Sequence, residues 1–226
     1  MLNKYARALF GRVFTPIARA LVRAGISPDV VTIVGTLGVM AGSLILFPRG
    51  EFFWGTMAVT AFVFSDIIDG LMARMTQRNS VWGTYLDSTL DRFGDAAVFT
   101  GLAMWFAGNG DNDLLCALCL YNLSAGSITS YARAKAESLG MQASGGIAER
   151  SDRLVTILVA TGLQGVGVPG IQRAALIVLA LASTYTVFQR ILMVRGQALA
   201  RDTAPQDTAP QDTAPSSTAP GDAGVA

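Results

Sequence analysis

The sequence predicts an all-α integral membrane protein with six transmembrane helices, preceded by an N-terminal amphipathic helix at the membrane interface. Two features of the composition support this: 51% of the 226 residues are apolar and only 15% are charged, whereas soluble chains average about 25% charged residues. The third observation is the series of six apolar segments separated by short polar links. The net charge of +1 gives no electrostatic case for binding nucleic acid.

The first element, predicted for residues 1–24, is expected to lie along the membrane surface. Residues 2–23 mix basic with apolar side chains, a pattern typical of an interfacial helix and not of a membrane span. The basic residues are Lys4, Arg7, Arg12, Arg19 and Arg23. Because they are spread widely, with no short apolar core between them, we do not expect a signal peptide here.

The six apolar segments follow within a domain predicted for residues 25–200. They occupy residues 30–48, 52–75, 84–107, 113–138, 153–168 and 171–195. Basic residues collect in the N-terminal helix, in the links after the second and fourth segments, and after the sixth. Because cytoplasmic loops carry an excess of Lys and Arg, this pattern predicts a multi-pass protein of the cell membrane with both termini in the cytoplasm.

A C-terminal tail is predicted for residues 201–226. The string Asp-Thr-Ala-Pro-Gln occupies residues 202–206 and 207–211 and recurs in part at 212–215. A polar, proline-rich repeat of this kind has no apolar surface to bury, so we expect the tail to be disordered.

Four aspartates lie toward the cytoplasmic ends of two neighbouring predicted spans. Asp66 and Asp69 are three residues apart, and Asp87 and Asp91 are four apart, so each pair shares one helix face. A short link joins the two helices, which makes them antiparallel neighbours and brings the carboxylates together. Acidic residues within spans are costly and usually mark function, and a divalent cation would offset their mutual repulsion.

The residues available favour a metal that prefers oxygen ligands. The chain has no His, and its two cysteines, Cys116 and Cys119, lie in an apolar segment where we expect them to pack. Mg²⁺, Mn²⁺ or Ca²⁺ is therefore favoured over zinc, and two ions sharing carboxylates would resemble the sites that handle phosphoryl groups. The alternative is that the aspartates are interfacial and pair with Arg74, Arg78 and Arg92.

The two acidic segments together read Asp66-x2-Asp69-Gly70-x2-Ala73-Arg74-x8-Gly83-x3-Asp87-x3-Asp91. This pattern resembles the full signature of the CDP-alcohol phosphotransferases, which move a phosphatidyl-type group from a cytidine nucleotide to an alcohol. The resemblance extends over roughly residues 1–200 through the six-helix arrangement. It implies two Mg²⁺ ions, or Mn²⁺, bound by all four aspartates, with Asp91 also acting as the base for the acceptor hydroxyl. It implies a homodimer as well.

The same resemblance implies where the donor, CDP-diacylglycerol (CDP-DAG), binds. Its nucleotide would lie against Gly70 and Arg74 and near Ser80. The family also lines the nucleotide with a stretch like Pro-Asn-x-x-Thr, which here reads Pro28-Asp29-Val30-Val31-Thr32. Asp29 replaces the asparagine, and the backbone of the stretch is expected to keep its contacts.

A second, basic cluster predicts that the acceptor alcohol carries its own phosphate. Ser130 and Arg133 share a helix face at the end of the fourth segment, and Arg153 and Arg195 are expected on the same side of the membrane. Converging guanidinium groups suit a phosphate dianion, which accepts paired hydrogen bonds. The alternative is ordinary cytoplasmic positive charge, which explains any one of these arginines equally well.

Two strings, Ser130–Glu137 and Gly145–Leu154, look like those of bacterial family members that use inositol phosphate and release CMP. Those members more often carry Lys at the position of Arg133 and Arg at the position of Lys135. Both residues are assigned to the phosphate, and Arg133 is favoured because of its spacing to Ser130. Glycerol phosphate is the alternative acceptor. A divalent-cation transporter is the alternative class of protein, and it is disfavoured because no matching acidic set lies toward the outer face.

Overall fold

The computed structural model describes residues 2–76, 80–147 and 149–203, with side chains from Val13 onward. Within that range it is all-helical, as predicted. The helices are α1 (Leu2–Arg23), α2 (Pro28–Leu46), α3 (Phe52–Val63), α4 (Ser65–Met75), α5 (Val81–Ala107), α6 (Asp113–Ser138), α7 (Arg150–Gly165) and α8 (Ile171–Asp202). Arg78 and the repeats beyond residue 203 lie outside the described residues, so what was predicted for them stays a prediction.

Within the described residues, four parts are long and apolar enough to cross a membrane. They are Pro28–Arg49, Phe52–Met75, Asp113–Ser138 and Ile171–Asp202. The two other predicted spans fall short for different reasons: α7 has 16 residues, and the first half of α5 carries several charged side chains. The fold is thus that of a multi-pass membrane protein with four candidate spans, while a total of six stays a prediction.

Capping side chains lie at the N-termini of two helices that carry the polar residues. Ser80 precedes α5, and its hydroxyl accepts a hydrogen bond from the Gly83 N–H at 2.9 Å. Asn112 begins α6 in the same way, through a 3.0 Å bond from the Leu115 N–H. Each cap satisfies an N–H that the first turn of a helix leaves without a partner.

The predicted segment over residues 52–75 is divided into two helices at Phe64. The Ile67 N–H donates to the Phe64 carbonyl, three residues back, at 3.1 Å. A single turn of the tighter 3₁₀ type therefore separates α3 from α4. The consequence is that α4, which carries Asp66 and Asp69, is oriented independently of the apolar helix before it.

The apolar core and the polar residues occupy different lengths of α5. This helix packs against α2 and α6, and α7 packs against α3 and α8. The buried apolar side chains of α5 start at Ala97, whereas its aspartates lie between residues 87 and 95. Gly101 lets α5 approach α2 closely, since a Cβ there would clash with the Ser43 carbonyl. The core therefore fixes α5 at one end and leaves the other end to the polar site.

Candidate active site

Three of the four predicted aspartates converge between α4 and α5. Oxygen atoms of Asp66, Asp69 and Asp87 all lie within 4.8 Å of one another. Asp69 is buried, while Asp66 and Asp87 are exposed on the wall of a cavity. Carboxylates this close repel each other unless a cation lies between them, so the group has the geometry and chemistry to hold a divalent metal ion.

The described Lys and Arg side chains do not neutralise all three of these carboxylates. Among the described residues, Asp66 has an arginine partner, and no Lys or Arg nitrogen lies within 4.0 Å of Asp69 or Asp87. Asp69 instead accepts a 2.6 Å hydrogen bond from the Thr32 hydroxyl. This bond leaves the other Asp69 oxygen for a ligand, so the residues fit a metal ion.

The fourth aspartate, Asp91, lies beside the group and faces an arginine. Its Oδ1 is 2.8 Å from Nη1 of Arg150, and the same nitrogen is 3.7 Å from Oδ2 of Asp66. Arg150 is the first residue of α7. One guanidinium thus joins Asp91 to the group that contains Asp66.

The cavity over these aspartates has a volume of about 320 Å³. It contains most of the residues that the resemblance assigns to the nucleotide, and α2 contributes Asp29 and Thr32. Its lining consists of Pro28, Asp29, Thr32, Asp66, Asp69, Gly70, Ala73, Ser80, Gly83, Thr84, Asp87, Asp91 and Arg150. We refer to it as the carboxylate cavity.

Three residues assigned to the nucleotide do not line the carboxylate cavity. Val30 is 48% exposed on the outside of α2, and Val31 follows it. The Arg74 side chain is exposed, and its Nε donates to the Gly70 carbonyl at 2.9 Å. Arg74 therefore lies next to Gly70 at the rim and not in the wall.

A second and larger cavity, of about 830 Å³, lies on the other side of Asp91. Arginines from four helices line it, so we call it the arginine cavity. Its charged and hydroxyl-bearing lining residues are Thr84, Ser88, Asp91, Arg92, Ser127, Thr129, Ser130, Tyr131, Arg133, Glu137, Glu149, Arg150, Ser151, Arg153 and Arg190. Its volume lies within the range usual for small-molecule sites.

The predicted acceptor residues are only partly brought together. Ser130, Arg133 and Arg153 line the arginine cavity, whereas Lys135 and Arg195 do not. Arg190 lines it in place of Arg195. The reason is helical geometry, because five residues on an α-helix turn through about 500°, so Arg195 points about 140° away from Arg190.

The arginines of this cavity differ in how they are held. Arg153 and Arg190 are both buried, and Nη1 of Arg190 donates to the Thr129 carbonyl at 2.6 Å. Arg92 donates to the Ser130 hydroxyl. Arg133 is exposed and pairs with Glu137 at 2.8 Å. Helix packing therefore places Arg153 and Arg190, while Arg133 is positioned by a neighbour on its own helix.

Four charged residues at the site were not assigned from the sequence: Arg92, Arg150 and Arg190, which line the arginine cavity, and Asp95, which pairs with Arg150 at 3.2 Å. Spacing could have indicated two of them, since Asp95 follows Asp91 by four residues and Arg150 precedes Arg153 by three, each on a shared helix face. No local signal distinguishes Arg190 from Arg195. Only the rotation of α8 against its neighbours separates them.

The two cavities meet at three residues. Thr84, Asp91 and Arg150 line both the carboxylate cavity and the arginine cavity. A metal-bound group in one cavity and an anionic molecule in the other would therefore come together at the Asp91 carboxylate. This arrangement is suited to transfer between two bound molecules.

Comparison with known proteins gives a match to one family model and to several relatives. The model of the CDP-alcohol phosphatidyltransferase family matches residues 25–200. The chain is 53% identical over 211 residues to the phosphatidylinositol phosphate synthase of Streptomyces avermitilis, covering 90% of this chain and 86% of the relative. It is 50% identical over 201 residues to the enzyme of the same name from Cutibacterium acnes, covering 85% of this chain and 97% of that one.

Solved structures are similar over the same region. The crystal structure of Mycobacterium tuberculosis phosphatidylinositol phosphate synthase with CDP-DAG bound superposes with a TM-score of 0.78 at 40% identity, covering 81% of this chain and 94% of that one. The same protein in complex with manganese and citrate gives a TM-score of 0.78 at 40% identity, covering 80% and 88%.

Proposed function

Because the chain belongs to the CDP-alcohol phosphatidyltransferase family, we propose that it transfers a phosphatidyl group from CDP-DAG to a hydroxyl of inositol phosphate. The products are phosphatidylinositol phosphate and CMP. Relatives with 50–53% identity carry the name of that activity. The observation that carries the proposal is the meeting of a carboxylate cavity and an arginine cavity at Asp91.

In this reaction the acceptor hydroxyl oxygen forms a bond to the phosphorus that bears the diacylglycerol. The bond from this phosphorus to the oxygen of CMP breaks, CMP leaves with the electron pair, and Asp91 takes the hydroxyl proton. A general base must reach the proton that it removes. Asp91 meets this requirement because its carboxylate faces the join between the two cavities.

The proposed cofactor is a pair of Mg²⁺ ions, for which Mn²⁺ can substitute, held by Asp66, Asp69, Asp87 and Asp91. When bound, the ions neutralise the donor diphosphate and stabilise the leaving CMP. The convergence of three carboxylates within 4.8 Å supports this assignment. Thr32 orients Asp69 through its 2.6 Å hydrogen bond, and Asp29, Gly70 and Ser80 line the space for the nucleotide, with Arg74 at its rim.

The proposed acceptor site uses arginines from three helices to hold the phosphate of inositol phosphate. Arg133 belongs to α6, Arg153 to α7 and Arg190 to α8, and Ser130 adds a hydroxyl. Guanidinium groups bind phosphate oxygens through paired hydrogen bonds. Lys135 and Arg195, which do not line the cavity, would contribute only positive charge around its mouth.

The wider organisation is also proposed. An interfacial helix (1–24), a six-span domain (25–200) and a tail (201–226) are supported by the distribution of apolar and basic residues. The same charge distribution supports a cytoplasmic active site and cytoplasmic termini. A homodimer is supported by the family resemblance alone.

The experiment is an assay with purified full-length protein, CDP-DAG, Mg²⁺ and one acceptor at a time. We expect phosphatidylinositol phosphate, identified by mass, with inositol phosphate as acceptor, and little product with free inositol. Phosphatidylglycerophosphate as the main product would replace the proposed acceptor with glycerol phosphate. If no acceptor released CMP, while vesicles containing the protein took up divalent cations, the protein would be a transporter instead.

A further inference from the structure

Asp95 forms a junction between Arg150 and Arg153, two arginines that line the arginine cavity. It follows Asp91 by one turn of α5, and its side chain is only 14% exposed. Its Oδ1 lies 3.2 Å from Nε of Arg150, and its Oδ2 lies 3.6 Å from Nη2 of Arg153. This half-buried carboxylate is therefore hydrogen-bonded to Arg150 and lies within ion-pair distance of Arg153, so each of its oxygens faces an arginine.

Arg150 connects this junction to the carboxylate cavity. While its Nε faces Asp95, its Nη1 lies 2.8 Å from Asp91 and 3.7 Å from Asp66. The guanidinium is planar and rigid, so the partner of Nε determines where Nη1 points. The position of Asp95 therefore sets how far the positive charge of Arg150 reaches among the carboxylates.

Arg153 limits how far the Asp95 side chain can move toward Arg150. Its side chain is 3% exposed, and its guanidinium packs flat on Gly126 of α6. A Cβ at Gly126 would lie 3.0 Å from Nη2 and 3.2 Å from Cζ of Arg153. The contact with Gly126 of α6 thus holds Arg153 in place, and Arg153 puts its positive charge 3.6 Å from the second oxygen of Asp95.

We propose that Asp95 is a positioning residue that draws Arg150 away from Asp66 and Asp91 and so sets the affinity of the carboxylate cavity for a divalent cation. With Asp95 present, the charge of Arg150 is shared among three carboxylates. Without it, Arg150 pairs with Asp66 and Asp91 alone and competes with the cation for their oxygens. The inference rests on the proposed function in one respect, that these carboxylates bind metal.

The test measures Mn²⁺ binding to the full-length protein in detergent, from the electron paramagnetic resonance signal of free Mn²⁺, without lipid or acceptor. Arg150→Gln should tighten binding about 5-fold, the effect of one partly exposed ion pair. Asp95→Asn should weaken it by a similar factor. The double variant should bind within about 2-fold of Arg150→Gln, because Asp95 acts through Arg150.

Opposite shifts in two variants of one ion pair distinguish positioning from general damage. Arg23→Gln is the matched control, since it removes the same charge from an exposed site at the end of α1 and should leave the Mn²⁺ affinity unchanged. Thermal unfolding reports whether each variant is folded. If Asp95→Asn does not fold, Asp95→Glu replaces it: the charge is kept but displaced by one methylene, and binding should still weaken about 2-fold.

Three results bear on the inference in different ways. Wild-type affinity in Asp95→Asn, or in a folded Asp95→Glu that stands in for it, would overturn it. So would a double variant midway between the two singles, because Asp95 would then act through its own charge. If the wild-type protein bound no Mn²⁺, the metal site of the proposed function would be overturned and this inference with it, whereas wild-type binding with unchanged variants would overturn the inference alone.

Discussion

Replacing Arg190 with Ala should weaken use of inositol phosphate, whereas Arg195→Ala should not. Arg190 is buried and lines the arginine cavity, while Arg195 lies five residues later on the exposed side of the same helix. Nη1 of Arg190 is engaged by the Thr129 carbonyl at 2.6 Å. Its Nε and Nη2 are both 3.4 Å from the Gly145 carbonyl, which is too long for strong bonds, so both can turn to a phosphate.

The expected magnitude follows from that geometry. One hydrogen bond between charged groups contributes roughly 1.5–3 kcal/mol, which corresponds to a loss of about 10- to 150-fold in kcat/KM for inositol phosphate. The KM for CDP-DAG should stay within about 2-fold, because Arg190 does not line the carboxylate cavity. The kcat/KM of Arg190→Lys for inositol phosphate should lie between those of the wild type and Arg190→Ala, since lysine keeps the charge but lacks the planar guanidinium.

The assay is CMP release by detergent-solubilised protein at saturating CDP-DAG, with inositol phosphate varied. Thermal unfolding of each variant separates loss of binding from loss of fold. The reasoning would be refuted if Arg190→Ala kept the wild-type KM for inositol phosphate, and refuted more sharply if Arg195→Ala were the variant that raised it. The rotation of α8 would then not place the acceptor site as described.

Three further outcomes are expected. Excess EDTA should abolish CMP release and added Mn²⁺ should restore it, because the proposed ligands are carboxylates; turnover that persists in EDTA would contradict the metal assignment. Asp91→Asn should lower kcat by about 10²–10⁴-fold, the usual effect of losing a general base, while CDP-DAG still binds in a filter assay. Asp113→Asn, at the start of α6, is the control. Near-normal turnover of Asp91→Asn would exclude Asp91 as the general base. Gly126→Ala should raise the KM for inositol phosphate several-fold, because its Cβ would meet the Arg153 guanidinium at 3.0–3.2 Å. This KM should be unchanged in Gly94→Ala, whose Cβ would have an ordinary contact of 3.6 Å. Equal KM values for the two variants would argue against a tightly packed Arg153.

Much of the helical architecture could be read from local patterns. The apolar segment predicted over 113–138 coincides with α6 (Asp113–Ser138), because apolar composition and a capping residue such as Asn112 are properties of neighbouring residues in the chain. The division between α3 and α4 could not be read, since the residues on both sides of Phe64 suit a continuous helix. The segment predicted over 84–107 lies within α5 (Val81–Ala107), although the charged first half of that helix lowers its mean hydropathy.

The sequence by itself determined the composition of the carboxylate site. Spacings of three and four residues put Asp66 with Asp69, and Asp87 with Asp91, on shared helix faces, and that periodicity is a property of any α-helix. It also determined the chemistry, because a chain without His offers carboxylate oxygens as its main metal ligands.

Only the tertiary structure decided which basic residues meet these carboxylates. Arg190, and not Arg195, lines the arginine cavity because packing sets the rotation of α8. Arg150 and Asp95 lie 55 positions apart in the chain and pair at 3.2 Å because α5 and α7 both reach the same end of the bundle. The physical reason is that local periodicity fixes which residues share a face of one helix, whereas the contact between helices depends on how buried side chains and glycines pack over long sequence separations.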